Sequence, residues 1–138
     1  MRVAYAAAAR IPSPRANSIQ VMKVCQALKQ NGEEVRLYVP GNAAYSWQSL
    51  QQLYGLQTEF PIEWIPVWKP LKYLDYTPRF LREVREWHAD LVYTRMLQVA
   101  RSAALSGMPV ILELHDLPSG RFGLARLQEF LRTPVHKR

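Results

Sequence analysis

A chain of 138 residues with 49% apolar side chains is one domain's worth, and a domain of that size buries roughly two-thirds of the surface its unfolded chain exposes. A single cysteine, Cys25, excludes an internal disulfide and favours a reducing compartment. The net charge of +7 invites a nucleic-acid reading, but the basic residues are scattered among acids: Arg79, Arg82 and Arg85 are interleaved with Glu83 and Glu86, and the only terminal cluster is His136, Lys137 and Arg138. Such a mixed surface fits a phosphate-bearing ligand or an anionic membrane surface at least as well, and no nucleic-acid partner is expected. The longest apolar runs, residues 3–9 and 109–112, are far shorter than the ~18 residues of a membrane span. The first residues enter a strand pattern directly, without a signal-peptide layout.

In chain order, residues 2–8 read as a short buried strand, and a polar loop follows over residues 9–17. A helix is predicted over 18–30, where Val21, Met22, Cys25 and Leu28 share one face, with Asn17 or Ser18 capping its start and Gly32 closing its end. Val35, Leu37 and Val39 alternate along a strand over 34–39, which Pro40 and Gly41 end. Residues 45–56 form a helix with Leu50, Leu53 and Tyr54 in register. A short strand over 62–65 is bracketed by Pro61 and Pro66. Thr77 followed by Pro78 predicts a helix start, with Phe80, Leu81, Val84 and Trp87 as its apolar stripe. The remainder reads as a strand over 90–94, a helix over 96–106, a strand over 109–114, and a last helix capped by Ser119 and carrying Leu124, Leu127 and Leu131.

Strict alternation of strand and helix predicts an α/β fold, a doubly wound, Rossmann-like parallel sheet with helices on both faces, spanning residues 1–138 as a single domain. In such a sheet, ligands bind beyond the carboxyl ends of the strands, where the strand order reverses. For the order 3-2-1-4-5 that crevice lies between the first and fourth strands. Three loops then converge: Arg10, Ser13, Arg15, Asn17 and Ser18 after the first strand, Arg95 after the fourth, and His115 with Asp116 after the fifth.

Arginines, a histidine and a carboxylate on one rim suit a phosphorylated or hydroxylated ligand. The first loop has no dinucleotide or phosphate-loop glycines, but it feeds a helix N-terminus that favours anions, and Arg15 can add a bidentate phosphate contact. Each candidate also has a plainer reading. Asn17 and Ser18 can serve only as caps while Arg15 is solvated. Arg95 can hold a helix or a neighbouring carboxylate. His115 can titrate near neutral pH and bond a sugar hydroxyl, with Asp116 orienting it, or it can cap a carbonyl while Asp116 begins a turn with Leu117 and Pro118. Glu113 shares a strand face with His115 by alternation, so it joins the site or pairs with an arginine. His88, His115 and His136 have no metal-ligand spacing, and no metal site is expected. Cys25 is expected in the core. The stretch from Phe60 to Phe80 interleaves aromatics, prolines and lysines. It suits either packing over a sheet edge, the favoured reading, or contact with an acceptor or a membrane surface.

The ordered set of loops resembles the N-terminal domain of glycosyltransferase family 4, retaining nucleotide-sugar enzymes with the glycosyltransferase-B fold. The residues that carry the resemblance are Ile11-Pro-Ser-Pro-Arg-Ala-Asn-Ser-Ile-Gln-Val-Met22, Asn31-Gly-Glu-Glu-Val-Arg-Leu37, Asp90-Leu-Val-Tyr-Thr-Arg95, and Val110-Ile-Leu-Glu-Leu-His-Asp116. The first loop departs from the family in lacking the paired glycines that many members have. The resemblance implies a two-domain enzyme in which this half binds mainly the acceptor, a sugar or a lipid-linked one. A second domain, absent from these residues, would bind most of the nucleotide-sugar through a spaced pair of glutamates. It further implies that Arg15 and Asn17 lie near the donor phosphates or sugar, that His115 contacts the reacting sugar, and that Arg95 shapes the cleft. The nucleotide-sugar enters as a substrate; no cofactor and no metal are implied. The expected setting is cytoplasmic, with possible peripheral contact at the inner membrane, and the chain by itself is expected to be inert. The rival is a non-catalytic α/β binding module for a phosphorylated small molecule or a partner protein.

Overall fold

The computed structural model describes residues 1–42, 45–68, 70 and 74–134. The terminal cluster of His136, Lys137 and Arg138 lies outside the described residues, as do Lys69, Leu71, Lys72 and Tyr73 within the aromatic stretch. The elements run β1 (Arg2–Ala6), α1 (Ala16–Gln30), β2 (Glu34–Pro40), α2 (Trp47–Tyr54), β3 (Ile62–Ile65), α3 (Tyr76–Glu86), β4 (Leu91–Thr94), α4 (Leu97–Leu105), β5 (Val110–Leu112) and α5 (Gly123–Arg132). All four strand pairings are parallel, in the order β3-β2-β1-β4-β5. This is the doubly wound α/β arrangement, with its switch point between β1 and β4.

Alternation along β1 divides the core into two layers. Val3, Tyr5 and Ala7 join Val21, Met22 and Cys25 of α1 and Leu50 and Tyr54 of α2. Ala4 and Ala6 face the other way and join Phe80 and Val84 of α3, Val99, Ala100 and Ala103 of α4, and Phe130 of α5. Small residues on both β1 and α4 allow close approach on that second face. Cys25 is fully buried in the first layer, as its helix face predicts.

The differences from expectation lie at element ends, and each has a local cause. β1 stops pairing at Ala6 rather than residue 8, although Ala7 N–H still donates to Tyr38 C=O at 3.1 Å. β5 is confined to Val110–Leu112. Helix α1 begins at Ala16 with Arg15 in the cap position, so Asn17 and Ser18 lie inside its first turn and do not cap it. Gly32 does close α1: at φ +90° it lets Glu33 N–H reach back to Leu28 C=O at 3.1 Å. In α2 the cap is Ser46, which accepts from Ser49 N–H. Leu50 and Tyr54 are buried there, but Leu53 is exposed.

Helix α3 starts at Tyr76, ahead of the Thr77-Pro78 pair. The Tyr76 hydroxyl donates to Tyr38 C=O at 2.9 Å and its ring stacks on Phe80 at 5.9 Å, which draws that residue into the core and leaves Thr77 buried rather than capping. Trp87 ends α3 under the guanidinium of Arg36, 4.6 Å from the ring centroid. Ser119 does not cap α5, which begins at Gly123. That helix buries Phe130 and partly buries Leu127, while Leu124 and Leu131 face out.

Candidate functional site

The first loop is built rigidly from beneath. Ser13 N–H donates to the Tyr54 hydroxyl at 2.7 Å, and that hydroxyl donates back to Ser13 C=O at 3.0 Å. Trp64 Nε1–H donates to Ile11 C=O at 3.2 Å. Ser13 Oγ accepts from Arg15 N–H at 3.2 Å, and Ser18 Oγ donates to Arg10 C=O at 2.8 Å. Residues of α2 and β3 therefore fix the path of the loop. Ser18, 1% exposed, is spent on the loop's backbone rather than offered to a ligand. The first turn of α1 has neither a capping side chain nor an acidic residue, so its N–H groups and the positive end of its dipole face the crevice uncompensated.

The fourth strand ends in a hydroxyl clasp. Thr94 Oγ1 donates to Ala6 C=O at 2.9 Å and accepts from Met96 N–H at 3.0 Å. This ties β4 to β1 and turns the chain so that Arg95 crosses the switch point. One Arg95 nitrogen, Nη1, donates to Asn17 Oδ1 at 3.0 Å and to Gln20 Oε1 at 3.2 Å. The loops after β1 and β4 thus meet, as the strand order requires. Both acceptors are neutral and Arg95 forms no ion pair among the described residues, although its charge acts on nearby Glu113, so its other guanidinium donors are open to an anion.

The loop after β5 supplies the third group. Glu113 Oε2 accepts from the Tyr93 hydroxyl at 2.6 Å, and Glu113 Oε1 lies 2.7 Å from His115 Nε2. Tyr93 packs edge-on against the buried ring of Tyr5, with centroids 4.7 Å apart. The Tyr93 hydrogen bond, seconded by His115 and the Arg95 charge, holds the Glu113 carboxyl below its usual range against the opposing effect of burial. Burial, with the carboxylate beside it, pushes the Tyr93 phenol far up, and burial does the same to Tyr5. The result is a fixed carboxylate between a neutral phenol and an imidazole.

Arg95, Glu113, Leu114, His115 and Asp116, with Leu97 and Pro118, line an open cleft of about 260 Å³. A neighbouring hollow of about 360 Å³ shares Leu97 and Pro118 and is walled by Arg121, Phe122 and Arg126. Of the residues the sequence singles out, Asn17, Arg95, Glu113, His115 and Asp116 come together here. Asp116 is exposed and makes no hydrogen bond among the described residues. Arg15 stands exposed at the start of α1, its side chain bonded to nothing described, outside the Arg95 contacts. Tyr93 and Gln20 belong to the site and were not anticipated. Tyr93 lies on β4 two residues before Arg95, and Gln20 lies one helical turn beyond Asn17, so both spacings are present in the sequence. Among the described residues no group of three or more histidine, cysteine, aspartate or glutamate side chains converges as a metal site would need.

The parallel sheet with helices is a Rossmann-like α/β domain, and its cationic and carboxylate-bearing cleft opens between the loops after β4 and β5, beside the switch point. The family model described as "Glycosyl transferase 4-like domain" matches residues 18–138. The chain belongs to that family. No curated protein matches it significantly.

Proposed function

We propose that this chain is the acceptor-side domain of a retaining glycosyltransferase that moves a sugar from a nucleotide-sugar to an acceptor. The observation that carries the reading is the meeting of three loops at the switch point of a family member: Arg95 on Asn17, with the Glu113–His115 pair beside them. In this reading His115 contacts the reacting sugar and Arg95 braces the cleft and faces anionic charge. The uncapped first turn of α1, with Asn17 and Arg15, lies toward the donor phosphates. Asp116, exposed on the cleft rim, is within reach of a sugar hydroxyl. A second domain holds most of the nucleotide-sugar, no metal takes part, and residues 1–138 alone transfer nothing. The acceptor is a sugar or a lipid-linked sugar, and the exposed Trp68 and Leu74 support peripheral contact with a membrane that carries it.

The test is a transfer assay on the full-length gene product with a panel of nucleotide-sugars, the product anomer being read by NMR. The expected result is a retained anomeric configuration, with His115→Ala lowering turnover about a hundredfold or more while the fold is unchanged. An inverted product refutes the mechanism. Ligand binding without any transfer moves the assignment to a non-catalytic binding module.

A further inference from the structure

Glu113 stands between two hydrogen-bond donors and spends one oxygen on each. The Tyr93 hydroxyl occupies Oε2 at 2.6 Å, and His115 Nε2 sits on Oε1 at 2.7 Å. A carboxylate only accepts, so the proton on this contact belongs to the histidine, on Nε2. The carboxylate cannot turn to serve the other ring nitrogen without giving up its short bond to Tyr93. Tyr93 is itself held by Tyr5, whose ring is 0% exposed and 4.7 Å away. A rigid line therefore runs from the core through Tyr5, Tyr93 and Glu113 to His115, which otherwise lies exposed on a loop. Asp116, the neighbour that the sequence offers as an orienting group, makes no bond to the imidazole.

We propose that Tyr93 and Glu113 are positioning residues for His115: they fix its ring with Nε2–H on the carboxylate, leaving Nδ1 as the acceptor offered to a ligand hydroxyl in the cleft. The proposal rests on the reading of this cleft as a sugar site and sharpens it. A neutral imidazole held this way accepts from a hydroxyl and has no proton to give to a carbonyl or phosphate oxygen. No partner reaches Nδ1 among the described residues. In that neutral form the ligand group that His115 selects is an O–H donor, such as a sugar hydroxyl, while anionic oxygens fall to Arg95.

The experiment is ¹⁵N-correlated NMR of the His115 ring in the labelled chain, at a pH where the ring is neutral. The wild type is expected to show a resolved Nε2–H proton, slowed in its exchange with water, and an unprotonated Nδ1. Glu113→Leu loses that signal and relaxes toward a tautomer mixture. Glu113→Gln keeps it, because an amide oxygen still accepts. Tyr93→Phe, which removes one hydroxyl and leaves the ring packing, speeds its exchange roughly tenfold. A wild-type ring protonated on Nδ1, or a Glu113→Leu signal like the wild type's, overturns the proposal, and an unchanged Tyr93→Phe signal removes Tyr93 from it. None of these readouts requires sugar transfer. A fixed tautomer in a protein that transfers no sugar would therefore fault the functional reading alone, and a mobile ring in an active enzyme would fault the positioning alone.

Discussion

Arg95 is hydrogen-bonded only to two amide oxygens, and although its charge also acts on the nearby Glu113 carboxylate, it pairs with no acid directly, which leaves guanidinium donors for a ligand. Hydrogen bonds to charged groups are worth about 1.5–3 kcal/mol. Arg95→Gln should therefore weaken binding of a phosphate-bearing nucleotide-sugar to the full-length protein by roughly tenfold or more, read as Kd by calorimetry, with little change in melting temperature. Glu113 makes a second residue-level prediction. Its folded carboxyl titrates below the ordinary 4.5 because Tyr93 donates to it. Its stabilising contribution is then complete above that value and is lost as the pH falls through the folded pKa. Urea melts of the wild type and Glu113→Gln should differ by a constant amount near neutral pH, and the difference should shrink below about pH 4.5. A difference that is flat down to strong acid would mean the carboxylate is not held by Tyr93.

At the scale of the element, the first loop depends on a side chain from a different layer of sequence. Tyr54, at the end of α2, both accepts from and donates to the Ser13 backbone. Tyr54→Phe leaves a buried N–H without its partner, which should cost about 1–3 kcal/mol in denaturant melts and speed amide exchange across the loop from Arg10 to Asn17. The strand and helix identities themselves were readable, because each long segment carried one clear period: Val35, Leu37 and Val39 by twos, and Val21, Met22 and Cys25 by helical turns. The starts of helices were not. Asn17, Ser18, Thr77 and Ser119 have capping chemistry but stand near a helix start whose position is set by something else: Tyr76 pulled in by Tyr38, or Ser18 claimed by Arg10. In α5, the leucine spacing suggests the buried face, yet Phe130 is the residue buried there, Leu127 packs partly against the same cluster, and Leu124 and Leu131 face out.

Across the whole molecule, alternation and crossover handedness point to a parallel doubly wound sheet but leave its strand order open; the observed order β3-β2-β1-β4-β5 brings Asn17, Arg95 and His115 to one rim. The inner support of that rim was hidden. Tyr93 and Tyr5 look like core aromatics in sequence, and only the parallel register that sets Tyr5 opposite Tyr93 reveals that the phenol of Tyr93 points up at Glu113. The aromatic stretch after Phe60 divides in the same way. Trp64, Ile65, Tyr76 and Phe80 pack inward, in line with the packing reading, whereas Trp68 is 63% exposed and Leu74 60% exposed.

No helix among the described residues is long and apolar enough to cross a membrane. For the peripheral contact proposed above, exposed apolar groups such as these and the net charge of +7 are the features that would meet the lipid. Trp68→Ser removes the apolar anchor without altering charge. Burying a large side chain is worth about 1.5–3 kcal/mol, so the substitution should lower the partition onto anionic phosphatidylserine vesicles roughly tenfold or more, measured by co-sedimentation at physiological salt. If attraction to the lipid is purely electrostatic, binding will fall steeply with salt and the Trp68→Ser protein will match the wild type at every salt concentration. In that case the contact belongs to the dispersed cations rather than to the loop that carries Trp68.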